Sequence, residues 1–271
     1  TNGDYTLIAD ITIDDTNKDY FPIPIEDDAT FDGGYDNDYA ITYTGTSNWS
    51  GLFSWTDDAS NGFTVKNVNF NMDTTYTFAE GASSLFKTNH DGIEQMITTN
   101  QVTVENCHLD STQTTKPKIS NEYSGGIVGR YFCGSVSNCS NKLDISGTYV
   151  GGICGSNAGG DSSSNRSGNA QIEYCYNIGD MTGSGTGGIC GSYTGESGNA
   201  QIEYCYNSGA ISGVYAGGIC GNRTGTNGFV TIFNCYNNAN GDGGDYQGGI
   251  VGNGTGYDSG NVNVYNCWSK G

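Results

Sequence analysis

Ser167-Gly168-Asn169-Ala170-Gln171-Ile172-Glu173-Tyr174-Cys175-Tyr176-Asn177 recurs residue for residue as Ser197 to Asn207. In each copy Ala and Ile alternate with Asn, Gln and Glu, the two-residue period of a strand with one buried face. At Tyr174 the alternation slips, because a polar residue falls where an inward one is due and Cys175 follows. The same slip marks a row along the chain: Val68, Cys107, Cys139, Cys175, Cys205, Cys235 and Cys267, spaced by 39, 32, 36, 30, 30 and 32 residues. Three positions before each stands Val or Ile: Val65, Val104, Val136, Ile172, Ile202, Ile232 and Val264. Immediately before stands Asn67, Asn106, Asn138, Asn234 or Asn266, with Tyr174 and Tyr204 in the duplicated pair. Asparagine tolerates the left-handed backbone region, so this row predicts a one-residue bend at which the strand path turns a corner, with side chains able to hydrogen-bond along the row.

A second motif, Gly-Gly-Ile-Cys/Val-Gly, starts at Gly125, Gly151, Gly187, Gly217 and Gly248. A period near 30 with about three short strands per turn predicts a right-handed parallel β-helix, all-β and a single solenoid domain over residues 1–271. About eight coils are expected, on the order of 40 Å of stacked sheet, counting one N-terminal strand from Leu7 to Ile13. Within the domain, residues 1–75 form acidic N-terminal coils, 76–120 an irregular coil with a loop insertion, and 121–271 the regular repeats. Insertions at Asp161 to Ser167 and Tyr76 to Glu94 are expected outside the coil, being polar. Tandem antiparallel sandwiches would show alternation without the Asn slip, and leucine-rich repeats would need more Leu.

Composition narrows the setting. The 271 residues include 44 Gly and only 3 Pro, and the formal net charge is −19 from 10 Lys+Arg against 29 Asp+Glu. Such a surface repels phosphate backbones, which argues against nucleic acid as a partner. No run of 18 apolar residues is present, so no membrane span is expected. The chain opens on Thr1-Asn2-Gly3-Asp4 with no visible signal peptide and reads as a processed or trimmed segment. Ten Cys in an acidic chain rich in Gly, Asn and Ser point to an extracellular or cell-surface location.

The Gly-Gly-Ile-Cys-Gly and Gly-Gly-Ile-Val-Gly repeats, followed by Ile-Glu-Tyr-Cys-Tyr-Asn or Val-Tyr-Asn-Cys-Trp, resemble the GLUG-type repeats of microbial surface proteins. The lead-in Tyr5-Thr6-Leu7-Ile8-Ala9-Asp10-Ile11, then Phe31-Asp32-Gly33-Gly34, then Gly51-Leu52-Phe53, is similar to the start of such arrays. The resemblance covers nearly the whole chain and implies a surface-exposed β-helix serving as stalk, adhesin or extension. It implies no catalytic residue.

Candidate chemistry is sparse. Cys154, Cys190 and Cys220 exchange with Val128 and Val251 at one motif position, as small buried thiols would. Equally, Cys190 with Cys205, Cys220 with Cys235 and Cys154 with Cys175 could bridge across a coil. A metal cluster of Cys and His is disfavoured, since no Cys-x₂-Cys occurs and His90 and His108 are the only histidines. Neither histidine lies in a recognisable triad, and Arg130, Arg166 and Arg223 all read as turn charges, so no enzyme is expected. Asp14, Asp15, Asp19, Asp32, Asp36 and Asp38 crowd the N-terminal region and are the candidates for Ca²⁺, against a solvated acidic face. Asn48, Asn165, Asn222 and Asn253 head N-glycosylation sequons, and Asn222 and Asn253 should share one outer edge. A further sequon at Asn138 falls in the bend row, where a glycan would disturb stacking. Tyr176, Tyr206, Tyr236 and Trp268 follow the aligned Cys and form an outward row that could stack against sugars or simply cover the strand face.

Two functions follow as expectations. The first is a structural fibre or stalk subunit that assembles head to tail, because neither terminus carries a visible cap and open strand edges invite addition. The second is a carbohydrate-binding adhesin module, with a polysaccharide-degrading β-helix enzyme ranked below both.

Overall fold

Strands of two to five residues, nearly all paired in parallel with a counterpart one coil away, build the described part of the chain. The computed structural model describes residues 4–24, 28–34, 39–54, 62–74, 77–87, 102–161, 166–239, 241 and 244–270. It is an all-β solenoid of parallel strands.

Sheet 1 is nine strands deep: Tyr5–Thr6, Thr30–Asp32, Phe63–Lys66, Val102–Glu105, Gly134–Ser137, Asn169–Glu173, Asn199–Glu203, Phe229–Phe233 and Asn261–Tyr265. Sheet 2 is also nine deep: Ile11–Ile13, Ala40–Tyr43, Asn69–Met72, His108–Asp110, Ser140–Asn141, Tyr176–Asn177, Tyr206–Asn207, Tyr236–Asn237 and Trp268–Ser269. Sheet 3 holds Ile119–Ser120, Ile145–Ser146, Met181–Thr182 and Ile211–Ser212. The Gly-Gly-Ile motifs stack as a fourth wall of single bridges, Gly125 to Gly151 to Gly187 to Gly217 to Gly248. The N-terminal strand expected over Leu7 to Ile13 is two strands in different sheets, with Leu7 to Asp10 as the corner between them.

The predicted bend is present at all seven positions of the row. Asn67, Asn106, Asn138, Asn234 and Asn266 have φ between 48° and 57°, and Tyr174 and Tyr204 adopt 53° and 52°. The tyrosines hold the same left-handed bend as the asparagines, and their rings stack at 4.9 Å and 5°. Side-chain bonding along the row occurs near its start, where Asn106 Nδ2 donates to Asn67 Oδ1 at 2.8 Å and Asn67 donates to Asp32 at 2.9 Å.

The core changes character along the axis. In the first rungs it is aromatic: Trp49 packs on Tyr43 at 4.8 Å and on Phe70 at 5.3 Å, and donates its indole N–H to Ser84 O at 2.9 Å. In the later rungs it is Ala, Ile, Val and Cys, with glycine walls. Part of the insertion expected outside the coil lies inside it. Phe78 and Phe86 bridge Trp49 and Phe53, and Phe78, Leu85 and Phe86 are buried, because this stretch takes the place of the Gly-Gly-Ile wall. The other insertion does leave the coil, forming the hairpin Gly160–Asp161 with Arg166–Ser167, the one antiparallel pair among the described strands.

Candidate functional site

Most inward side chains of the described residues are buried against one another, which directs attention to the outward rows. The outward row of sheet 2 runs in register Ala40, Asn69, His108, Ser140, Tyr176, Tyr206, Tyr236, Trp268. Tyr206 and Tyr236 stack at 5.3 Å and 8°, and Tyr236 and Trp268 at 4.5 Å and 8°. A sugar stacks on an aromatic face, yet both faces of Tyr236 are covered by its neighbours in the row. Parallel strands one coil apart hold identical side chains at ring-stacking distance, so the ladder closes on itself.

Upstream in this row, His108 Nδ1 lies 2.8 Å from Ser140 Oγ and its Nε2 lies 3.1 Å from Asn106 Oδ1. The amide oxygen only accepts, so Nε2 carries the proton and Nδ1 accepts from the serine hydroxyl. Burial lowers the imidazole pKa, favouring the neutral ring. A hydroxyl, an imidazole and an amide thus line up as in an activated nucleophile. Ser140, however, is fully buried in the row, and an acyl substrate needs open approach to the oxygen. The residues lie on neighbouring rungs, which is why chain spacing gave no sign of them. The signal available in the sequence was their shared offset, each directly following an aligned Cys.

Inside, nine of the ten cysteines form two columns, Cys133 standing apart. Cys154, Cys190 and Cys220 are bridge partners on successive rungs, and Cys107, Cys139, Cys175, Cys205, Cys235 and Cys267 line the bend beside sheet 1. All ten are free thiols, so the pairs considered across a coil, Cys190 with Cys205, Cys220 with Cys235 and Cys154 with Cys175, are not bonded. The thiols stack on one another instead, and in the longer column the sulfur donates to backbone, as from Cys205 to Glu203 O at 3.2 Å. Burial pushes Cys133 up to about 12 and holds Cys139, Cys154 and Cys205 well above the usual thiol range. Cys190, drawn down to about 5 by hydrogen bonds with Cys154 and Cys220, is as fully sealed from solvent as they are, so burial keeps these thiols unreactive whichever way they are shifted. In a chromogenic thiol assay of the native protein, only half-exposed Cys267 is expected to react quickly, and all ten after denaturation without reductant. Fewer than ten in denaturant would mean bridges. Several fast thiols in the native state would mean that the columns are open to solvent.

Of the acidic N-terminal candidates, Asp14, Asp15 and Asp32 are already engaged, and Asp19 is exposed on the short helical turn Lys18–Tyr20. Asp14 accepts from the Thr16 N–H at 2.8 Å, and Asp32 from Asn67 and the Gly34 N–H, with Lys66 at 3.2 Å. The Thr46 hydroxyl and Lys18 hold the Asp15 carboxyl down at about 2. Among the described residues, no three His, Cys, Asp or Glu side chains converge to hold a metal. Asp36 and Asp38 lie outside the described residues, as does Asn165. Asn48 is exposed, and Asn222 and Asn253 occupy one edge on successive rungs, where the Arg223 N–H donates to Asn253 O at 2.8 Å. The sequon hydroxyls of Thr224 and Thr255 cap Gly221 O and Gly252 O at 3.0 and 2.7 Å, so they also serve the turn. Arg130 sits 4.2 Å from the ring centres of both Tyr123 and Tyr131, a cation–π clamp at a corner.

No protein-family model matches the chain, and no curated protein does. Among solved structures, it is similar to a Bacteroides ovatus protein described as a "putative immunoglobulin A1 protease", with a TM-score of 0.55 and 21% identity over 97% of this chain and 77% of that one. The likeness is one of fold.

Proposed function

We propose that the chain is a non-catalytic structural segment of a secreted or cell-surface protein, a rigid β-solenoid whose copies stack end to end. The observation that carries this reading is the exact coil-to-coil repetition of inward residues. Ala170 over Ala200, Ile172 over Ile202 and Asn177 over Asn207 devote successive rungs to holding each other. The similarity of its motifs to GLUG-type surface arrays supports the extracellular part. For end-to-end stacking, strand edges template further strands, and Val264 stands in register with fully buried Ile232 on the inward row of sheet 1.

Electron microscopy of the purified chain over a concentration series tests the assembly. Rods that lengthen with concentration are expected, and a Val264→Lys variant should shorten them. Particles that stay monomeric at the highest concentration would sink the end-to-end proposal.

A further inference from the structure

The outer face of sheet 1 carries a shallow groove of about 490 Å³ across four rungs, lined by Ser135, Asn169, Gln171, Asn199, Gln201 and Phe229 among others. We propose that this groove binds a neutral, hydroxyl-rich polysaccharide lying along the stack. This adds a ligand to the structural reading and does not depend on end-to-end assembly.

Register builds the surface. Asn169, Asn199 and Phe229 form one outward row, Gln171, Gln201 and Thr231 a second, and Glu173, Glu203 and Phe233 a third. The four amides are all exposed, although nothing in the core requires amides at these positions. Asn199 Nδ2 donates to Asn169 Oδ1 at 2.7 Å, and Gln201 Nε2 donates to Glu203 Oε1 at 2.5 Å. The Asn199 and Gln201 amides therefore have their orientation fixed by the bond each donates, and each keeps a second N–H on an exposed side chain. A preorganised amide loses little freedom on binding.

The chemistry of the rows selects the ligand class. Amides both donate and accept, as do sugar hydroxyls, and a pair of neighbouring hydroxyls can meet both edges of one amide. Phe229 is 56% exposed at the end of the Asn row and offers its ring to the C–H face of a pyranose. The groove lining contains no Lys or Arg, and Glu173 and Glu203 flank it, so anionic polymers are repelled. The duplicated rungs repeat the same groups at roughly 4.8 Å, and two steps, roughly 10 Å, allow a periodic chain to be met in phase.

Affinity electrophoresis through gels containing xylan, mannan or mixed-linkage β-glucan tests the proposal. Retardation by at least one of them is expected, and it should persist in high salt. The double variant Gln171→Ala/Gln201→Ala and the single variant Phe229→Ala should each weaken it at least tenfold with unchanged thermal midpoints, since these side chains are on the outside. Tyr236→Ala, in the self-stacked ladder of sheet 2, should leave it intact. No retardation by any of the three polymers would overturn the proposal. So would retardation insensitive to the groove variants, or binding seen only with polylysine and abolished by salt. Loss of filaments in microscopy with retardation preserved would count against the assembly reading alone.

Discussion

Gly188→Ala is expected to destabilise the protein by about 3–5 kcal/mol, or to prevent folding altogether. A Cβ built on Gly188 would lie 2.2 Å from Gly218 O and 2.5 Å from Asn207 Cγ. The first atom is backbone in the next rung, held by its place in the stack. The second belongs to a buried amide that is bonded in three directions. Neither can yield without separating rungs or breaking polar contacts. The same collision is built at each repeat, since a Cβ on Gly152 would lie 2.3 Å from Gly188 O and one on Gly218 would lie 2.2 Å from Gly249 O. The second glycine of the motif is thus demanded by close approach of successive coils. Urea unfolding followed by circular dichroism measures the effect, with exposed Gln201→Ala as a control expected within about 0.5 kcal/mol of the parent. A loss below about 1 kcal/mol for Gly188→Ala would show that successive coils can separate to admit a methyl group.

The fold was legible because a solenoid writes each contact into the sequence many times. The Asn before Cys107, Cys139 and Cys235 betrayed a bend by breaking the strand alternation, and the left-handed φ values at those positions are its physical cause. Less legible were the first rungs. Their core is made of Trp49, Phe53, Phe70 and Phe78, so neither the Cys row nor the Gly wall was there to align, and residues 77–87 passed for an excursion. Aromatic rings and paired glycines fill the same cross-section in different ways, and a period search sees only one of them.

Sites were harder to read, for a reason particular to this architecture. Neighbours in space stand about thirty residues apart in sequence, so His108 and Ser140, or Gln171 and Gln201, form no local motif. Outward rows could be listed from the alignment, but whether a row is open was not visible. The Tyr206, Tyr236 and Trp268 row promised ring faces and proved stacked on itself, whereas the amide rows of sheet 1 looked like ordinary solvent cover and frame a groove. The cysteine columns show the same limit. Spacing along the chain left bridge and thiol equally open, while stacking by register places like with like.

Asn207→Ala is expected to remove about 3–4 kcal/mol, far more than loss of an asparagine from the bend row that the sequence emphasised. Asn141, Asn177, Asn207 and Asn237 continue an inward column of sheet 2 whose earlier members are Ile41, Phe70 and Leu109. All four are buried. One Nδ2 hydrogen passes to the next rung, from Asn141 to Asn177 at 2.8 Å, Asn177 to Asn207 at 2.8 Å and Asn207 to Asn237 at 2.9 Å. The other is given to a carbonyl two residues on in the same coil, as from Asn207 to Gly209 O at 3.0 Å. Removing the Asn207 amide takes two bonds donated and one accepted out of a region that water does not reach. It also leaves the Gly209 carbonyl without that side-chain donor, which adds a desolvation cost to the lost bonds. The glycine wall belongs to the same device, since only a residue without a Cβ leaves room for the amide column. Asn234→Gly supplies the contrast. There φ is 52°, glycine adopts that value freely, and the change should cost within about 1 kcal/mol. Equal losses at Asn207 and Asn234 would mean that backbone conformation, and not the buried amide chain, holds the coils together.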